Sequence, residues 1–374
     1  MAAIMEGIFL ARPEAPGEGI PLAVKDLFDT AGLTTTYGSA LFAEHVPSET
    51  AEAVRRLEAA GYANVGKTNL HEFAYGVTSE NPHFGTVPNP LREGRIAGGS
   101  SGGSAAALAA GLADAALGTD SGGSIRIPAA CCGVVGFKPT YGLVAAEGCF
   151  PLAPSFDHVG PMTRDVDGCV AMMEALVPGF ARTEIESLED VEVGVAWLDE
   201  ADPLVRARVA EAAERFPRRR SVDLPRPGDF NAVFQAEVAD VHRELYEENS
   251  DLYGADVARK IERCFAVTDG ERDAALRSRE TFREEALEAL GELDLLVTPT
   301  LPIVAPETRD SEDDERRALL IRFTYVINAL GWPALALPCG PAENGLPASV
   351  QLIGRPGADA LVLAAGAAVE RSLV

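Results

Sequence analysis

The sequence predicts an α/β fold in which helices cover a mostly buried sheet. Short apolar runs typical of strands alternate along the chain with longer segments of helical spacing. The runs at 20–24 and 295–297 are apolar throughout, as expected for strands that are covered on both faces. The length of 374 residues allows either one large domain or two to three smaller ones.

The remaining elements follow from local patterns. Residues 51–60 have helical spacing and end at Gly61, a residue type common just after a helix. Residues 104–116 predict a helix of unusually small side chains, against which neighbouring backbone can pack closely. The other predicted elements are strands at 63–65, 191–197 and 334–337, helices within about 200–290, and a terminal helix over 358–371.

Composition and charge exclude several classes of function. The net charge of −25 argues against nonspecific binding to nucleic acid or to an anionic membrane. No run approaches the roughly 18 apolar residues of a membrane span, and residues 1–6 lack the features of a signal peptide. We therefore expect a cytoplasmic protein, with the acidic run at 311–315 as a solvated loop.

The six cysteines predict neither disulfides nor a metal site. None of them forms a C-x-x-C pair, and no cluster of histidine and cysteine has ligand spacing. They are expected to be reduced core residues, with the adjacent pair Cys131 and Cys132 packed beneath a turn described next. No metal and no cofactor is predicted.

Two glycine-flanked serines carry the chemistry. Residues 98–104 read GGSSGGS and residues 118–124 read GTDSGGS, and within them Ser100 and Ser124 lie 24 residues apart. A serine becomes a nucleophile only if a base removes its proton, and Lys25 stands upstream after an apolar run. A glycine-rich turn can also direct several backbone N–H groups at an oxyanion.

These segments resemble the amidase signature family. The similarity includes GIPLAVKD at 19–26, GKTN at 66–69, GTDSGGSIRIP at 118–128 and GFKPTYG at 136–142. Near the C-terminus, Asn328, Gly331, Pro333 and Gln351 also fit, together with 338–340 and 345–347. The resemblance spans roughly 19–370 and is weakest between about 175 and 290.

The resemblance implies one α/β/α sandwich around a large mixed sheet. It implies a single amidase domain over 1–374, with a shortened N-terminal arm before Lys25 and a variable helical region at about 200–290. That arm can contribute to dimerisation and to a wall of the substrate channel. Because it is shortened here, the formation of a homodimer is left as an open question. Substrate specificity is expected at 75–79, at 149–155 and in the helices around 230–270.

The resemblance also implies the site residues. Ser124 is the nucleophile, Lys25 the base, and Ser100, in a cis peptide, the bridge between them. The oxyanion is bound by backbone N–H groups of the turn that contains Ser121, Gly122 and Gly123. Supporting roles fall to Ser101, Asp120 and Arg126.

Three other interpretations of these residues are weaker. Lys25 could be a surface lysine paired with Asp26. The neighbours Asp157 and His158 suggest a serine–histidine–aspartate triad, but adjacent strand residues point to opposite sides, and there is no G-x-S-x-G elbow. Residues 61–68 match a phosphate-binding loop formally, but a helix ends at Gly61 where a strand should end.

The function expected from the resemblance is hydrolysis of a small carboxylic amide to an acid and ammonia or an amine. Esters should react as well, and carbamates and ureas are left as alternative substrates. The alternative is the amidase subunit of a tRNA-dependent amidotransferase, which would need an arginine and an acid that recognise glutamine, and a docking surface. Arg259 lies in a region where such an arginine could fall, but the alignment there is too loose to assign it that role. An inactive binding module is disfavoured because Lys25, Ser100 and Ser124 are all present.

Overall fold

The computed structural model describes residues 6–15, 17–226, 228–308 and 314–373. In these ranges the strands are β1 Phe9–Ala11, β2 Ile20–Lys25, β3 Tyr62–Thr68, β4 Glu80–Asn81, β5 Gly85–Thr86, β6 Ala115–Asp120, β7 Val135–Lys138, β8 His158–Thr163, β9 Val193–Val195, β10 Arg219–Ser221, β11 Leu295–Pro299, β12 Ala334–Pro341 and β13 Pro347–Gly354. The helices of the same ranges are α1 Glu52–Ala59, α2 Gly102–Ala109, α3 Arg126–Cys132, α4 Val166–Leu176, α5 Pro203–Ala213, α6 Asn231–Asn249, α7 Ala255–Cys264, α8 Asp269–Leu290, α9 Asp314–Ile321, α10 Tyr325–Leu330 and α11 Asp359–Leu373.

One large mixed sheet organises the molecule. Within the described ranges it has 11 strands in the order β1-β3-β2-β6-β8-β7-β12-β13-β11-β9-β10, and β4 and β5 form a separate hairpin. Strands β3, β2 and β6 run parallel, as do β11, β9 and β10, while the strands between these groups pair antiparallel. The predicted α/β fold around a mixed sheet is confirmed.

Side chains of β2 alternate between the two faces of the sheet. Leu22 and Val24 belong to the larger core, which α1, α4, α5 and α11 cover. Ala23 packs on the other face with the small residues of α2 and α3. Close approach there is obligatory, because a Cβ on Gly103 would lie 2.4 Å from the backbone oxygen of Asn69.

Three expectations about elements need correction. The helix predicted over 104–116 is α2, Gly102–Ala109, and Ala115 already begins β6. The alanines favour continuation of the helix, but Gly111 turns the chain with a φ of +69°, and pairing within the sheet places Ala115 and Ala116 in a strand. The strand predicted at 191–197 is only Val193–Val195, because Trp197 adopts a left-handed conformation.

The third correction concerns the region predicted to be helical at about 200–290, which also contains the edge strand β10. Most of the acidic run at 311–315 lies outside the described residues, and its last two positions, Asp314 and Glu315, begin α9. None of the helices in the described ranges has the length and apolarity that crossing a bilayer requires.

The fold brings the two motif segments to one edge of the sheet. Lys25 is the last residue of β2 and Asp120 the last residue of the neighbouring parallel strand β6. The carboxyl ends of adjacent parallel strands meet at one edge, where α/β proteins commonly bind ligands. Ser124 follows β6 directly, and Ser100 precedes α2, which packs against both strands.

Candidate active site

Lys25 is enclosed at the end of β2. Its side chain is fully buried, and its Nζ atom donates to Ser100 Oγ at 2.7 Å and to Thr119 Oγ1 at 2.6 Å. Burial lowers the pKa of Lys25 to about 7, because an ammonium ion loses hydration in the protein interior. A substantial fraction of this amine is therefore neutral near neutral pH.

Asp26 is not the partner of Lys25. Its carboxylate lies 3.0 Å from the Nζ atom of Lys67 and accepts bonds from the backbone and hydroxyl of Thr36. Lys67 is buried in β3 and also donates to the backbone oxygen of Phe28. The alternative of a surface pair between Lys25 and Asp26 is wrong, and the formal phosphate-loop match at 61–68 lies largely within a strand.

Ser100 is held by its backbone as well as by Lys25. The Gly99–Ser100 peptide bond is cis. The Ser100 carbonyl oxygen accepts a bond from Ser79 Oγ at 3.1 Å and from the His71 backbone N–H at 3.2 Å. These contacts leave the fully buried Ser100 hydroxyl at the Nζ atom of Lys25.

Ser124 lies at the surface of a cavity rather than in the buried network. It is 6% exposed, and its backbone oxygen accepts a bond from the Ser101 N–H at 3.2 Å. No hydrogen bond joins its hydroxyl to that of Ser100 in the part of the chain that the structure describes. The two serines are thus brought to the same site, with only Ser100 in direct contact with Lys25.

Asp120 and Arg126 fix the turn that leads to Ser124. Asp120 accepts bonds from the backbone N–H groups of Gly123 at 2.7 Å and Ile125 at 3.2 Å. Arg126 forms a two-pronged contact with the same carboxylate, both distances being 2.9 Å, and both side chains are fully buried. Burial alone would raise the pKa of Asp120, but the guanidinium of Arg126 outweighs it and holds that pKa below its usual range.

Arg126 is anchored by residues from the distant C-terminal part of the chain. It donates to Asn328 Oδ1 and to Gln351 Oε1, both at 2.7 Å, and to the Thr324 backbone oxygen at 3.0 Å. Thr324 also donates through its hydroxyl to the Gly122 backbone oxygen at 2.7 Å. The turn is therefore held on several sides, which favours a fixed geometry for its N–H groups.

The turn contains donors without an internal partner. The Gly123 N–H is engaged by Asp120, but in the described residues the backbone N–H groups of Ser121, Gly122 and Ser124 donate to no protein atom. The N–H groups of this turn that have no protein acceptor are therefore those of Ser121, Gly122 and Ser124, and not that of Gly123.

Ser101 and Thr119 join the two motif segments. The Thr119 backbone N–H donates to Ser101 Oγ at 3.3 Å, and that hydroxyl lies 3.2 Å from the Thr119 backbone oxygen. Sequence reasoning did not single out Thr119, although it belongs to the GTD segment, because its contact with Lys25 depends on the pairing of β2 with β6. The anchoring roles of Thr324, Asn328 and Gln351 were missed for the same kind of reason.

A cavity of about 370 Å³, here called the Ser124 cavity, opens at the turn that holds Ser124. Besides Ser121, Gly122 and Ser124, it is lined by Tyr75, Gly76, Val77, Leu152, Phe234 and Tyr325, among others. Parts of the segments expected to set specificity, at 75–79, at 149–155 and around 230–270, do line it. A volume of this size suits a small molecule.

The Ser124 cavity also has a cationic side, formed by Lys260, Arg263 and Arg317. Lys260 and Arg317 contact the carboxylate of Asp256 at 2.6 and 2.7 Å. Arg259, the residue considered for glutamine recognition, is not among the residues that line this cavity. It is instead 56% exposed and pairs with Asp256 at 3.0 Å.

Asp157 and His158 do not form a catalytic pair. His158 is buried, its Nδ1 atom lies 2.6 Å from the Phe156 backbone oxygen, and burial holds its pKa well below the usual range. Asp157 instead accepts the hydroxyl of Ser121 at 2.5 Å. In the described ranges, no group of histidine, cysteine, aspartate and glutamate side chains is arranged to hold a metal ion.

Comparison with known proteins gives consistent matches over nearly the whole chain. The family model described as Amidase matches residues 5–363. A glutamyl-tRNA(Gln) amidotransferase subunit from Moorella thermoacetica is 37% identical over 413 aligned positions, covering 97% of this chain and 85% of that protein.

Solved structures show the same similarity. A crystal structure of an amidase superimposes with a TM-score of 0.87 at 38% identity and covers 95% of this chain and 85% of that one. A second structure comes from a vestigial protein complex that reveals the evolutionary origins of an s-triazine catabolic enzyme. It superimposes with a TM-score of 0.87 at 33% identity and covers 94% of this chain and 84% of that one.

Proposed function

Since this chain belongs to the amidase family, and is thus a hydrolase of C–N bonds, we propose that it cleaves small carboxylic amides through an acyl-serine intermediate on Ser124. The observation that carries the proposal is the fully buried amine of Lys25, 2.7 Å from Ser100 Oγ. A lysine can act as a base at neutral pH only if its environment depresses its pKa, as burial does here.

The first step forms the tetrahedral intermediate, and the acyl-enzyme forms when that intermediate loses the amine. Neutral Lys25 accepts the Ser100 proton, Ser100 accepts the Ser124 proton, and Ser124 Oγ attacks the amide carbon. The bond between the two serine hydroxyls forms when substrate is bound, since catalytic hydrogen bonds often tighten only then. The tetrahedral oxyanion is stabilised by backbone N–H groups of Ser121, Gly122 and Ser124.

The second step releases the amine. The C–N bond breaks with its electron pair on nitrogen, and that nitrogen takes a proton from the Ser100 hydroxyl. Ser100 regains a proton from the Lys25 ammonium, which returns the amine to its neutral form. Water then cleaves the ester on Ser124 along the same proton path and releases the acid.

A second candidate is the amidase subunit of a tRNA-dependent amidotransferase. The observation that favours it is the 37% identity to an amidotransferase subunit over 97% of this chain. In that role the chain would release ammonia from glutamine to a partner protein. Arg259, the arginine considered for glutamine recognition, lies outside the Ser124 cavity, so this role would rest on the arginines that line the cavity, Arg263 and Arg317.

The test is release of ammonia or amine from a panel of aliphatic and aryl amides and glutamine by the purified chain alone. Ser124→Ala should abolish turnover, and Ser48→Ala, which changes an exposed serine away from the site, should not. Turnover of simple amides supports the free-standing amidase. Activity on glutamine alone, or only after a partner protein is added, moves the amidotransferase role to first place.

A further inference from the structure

A second cavity, here called the Thr119 cavity, adjoins the same site. Its volume is about 460 Å³, and its lining includes Thr119, Tyr141, Ala146, Glu147 and Asp157. The residues common to both cavities are Ser121 and Leu152. The two cavities are therefore neighbours that meet at one side of the nucleophile turn.

Each cavity borders a different part of the catalytic apparatus. The Ser124 cavity contacts the nucleophile and Gly122. The Thr119 cavity contacts the residue whose hydroxyl lies 2.6 Å from Lys25 Nζ, which in turn binds Ser100. Because a general acid must lie beside the atom that it protonates, the leaving nitrogen belongs on the side of Lys25 and Ser100.

The two cavities also differ in charge. Among the described residues that line the Thr119 cavity, Glu147 and Asp157 are acidic and none is lysine or arginine. Among those that line the Ser124 cavity, Lys260, Arg263 and Arg317 are basic and none is acidic, and the pairing of Lys260 and Arg317 with Asp256 offsets only part of this charge. Asp157 is occupied by the Ser121 hydroxyl and by backbone N–H groups, so the exposed carboxylate of Glu147 is the group that attracts a cation, and a released alkylamine becomes a cation at neutral pH.

One carboxylate holds both residues of the boundary. Asp157 accepts the Ser121 hydroxyl at 2.5 Å and the Leu152 backbone N–H at 2.9 Å. It therefore fixes the nucleophile turn relative to the loop that separates the cavities.

From these relationships we infer that the Thr119 cavity receives the amine half of the substrate, while the Ser124 cavity receives the acyl half. The inference rests on the proposed function and adds the orientation of the bound substrate, that is, which cavity holds each half of it. The amine class that fits is a primary amine with a small apolar group, which is neutral while bound as an amide and leaves as an ammonium ion. The C–N bond lies at the boundary formed by Ser121 and Leu152.

The test uses two matched substitutions and two series of substrates. Ala146→Trp adds bulk at the Thr119 cavity, and Ala318→Trp adds bulk at the Ser124 cavity, both at exposed positions. One series joins a fixed acyl group to ammonia, methylamine and benzylamine, and the other joins acetyl, hexanoyl and phenylacetyl groups to ammonia.

Ala146→Trp should lower kcat/KM for the benzylamide by about tenfold relative to the primary amide. Ala318→Trp should lower kcat/KM for the amides of hexanoyl and phenylacetyl groups by a similar factor relative to the acetyl amide. The reverse pattern, or an amine series that Ala146→Trp leaves unchanged, would overturn the inference while the amidase activity stands. Absence of turnover of any amide by the unsubstituted chain would instead remove the proposed function and the inference with it.

A charge substitution gives an independent measurement. Benzylammonium should inhibit as a product, and Glu147→Gln should weaken its inhibition by about two- to fivefold, the range of an exposed ionic contact. Glu49→Gln changes an exposed carboxylate that does not line the Thr119 cavity and should leave the inhibition constant unchanged. Equal inhibition constants for Glu147→Gln and the unsubstituted chain would count against the cationic amine site.

Discussion

The Nζ atom of Lys25 lies 2.7 Å from the Oγ atom of Ser100, and both side chains are fully buried. This contact joins the end of β2 to the segment that precedes α2, far apart in the sequence. It places an amine with a lowered pKa beside the hydroxyl that must transfer the proton of Ser124. The following predictions derive from this contact and from the turn that holds Ser124.

Catalysis should require the neutral form of Lys25. Because burial lowers its pKa to about 7, kcat/KM should rise with pH through that value and then level off. The sign follows from the role of a base, which is inactive while protonated. Initial rates between about pH 5 and 9, with circular dichroism to check folding, measure this; a rate independent of pH over that range would contradict it.

Thr119 should position Lys25 and influence its titration. Thr119→Val removes an oxygen that accepts from Nζ at 2.6 Å and stabilises the ammonium form more than the neutral amine. We expect a kcat about tenfold lower and a pH midpoint shifted downward. Thr119→Ser keeps the hydroxyl and should restore both values, whereas an unchanged midpoint in Thr119→Val would argue for a purely structural threonine.

The Asp120–Arg126 pair should matter mainly for stability and for the turn. Arg126→Gln leaves a buried carboxylate without its cation and should cost about 3–5 kcal/mol of unfolding free energy, measured by urea denaturation. Because the folded pKa of Asp120 is depressed, the pair stabilises the fold above the ordinary aspartate pKa, and this contribution is lost as pH falls through the depressed value.

The control for that substitution is an exposed ion pair. Arg182→Gln removes the contact with Glu174 and should leave the denaturation midpoint almost unchanged. If Arg126→Gln and Arg182→Gln proved equally stable, the Asp120–Arg126 pair would not hold the turn.

The turn should not tolerate a side chain at Gly123. Its φ is +126°, and a Cβ there would lie 2.3 Å from the Oγ1 atom of Thr324. Gly123→Ala should therefore displace the N–H donors and lower kcat by about 10²-fold or more. Gly179→Ala is the matched control, because Gly179 also has a positive φ but has no neighbour within 4 Å. Comparable kcat values for the two variants would contradict this account of the turn.

The sequence predicted the fold class and the residues that meet at the sheet edge. Lys25, Ser100 and Ser124 lie in short glycine-bounded segments whose residue types restrict what they can do. Arg126 was recognised as a supporting residue, but its partners Asn328 and Gln351 follow it by about 200 residues or more. Asn328 lies in α10 and Gln351 in β13, and their contacts with Arg126 depend on how these elements pack together, which local patterns do not determine.

The predicted boundaries of elements were wrong where the residue types did not distinguish the end of one element from the start of the next. The alanines between 105 and 116 favour a helix, and tertiary packing overrides that preference at Ala115 and Ala116, so the end of α2 at Ala109 had no local signal apart from Gly111. The Thr119 cavity was likewise not predicted, because it exists only when the loop at 149–157 packs beside β6.

The central claim is that Ser124 is the nucleophile and that Lys25 activates it through Ser100. Its most direct test is mass-spectrometric mapping of the adduct formed with a fluorophosphonate, which reacts with activated serines. We expect a single adduct on the peptide that contains Ser124, lost in Ser124→Ala and formed at least about 10²-fold more slowly in Lys25→Ala. An adduct on another residue, or one that persists in Ser124→Ala, would contradict the claim.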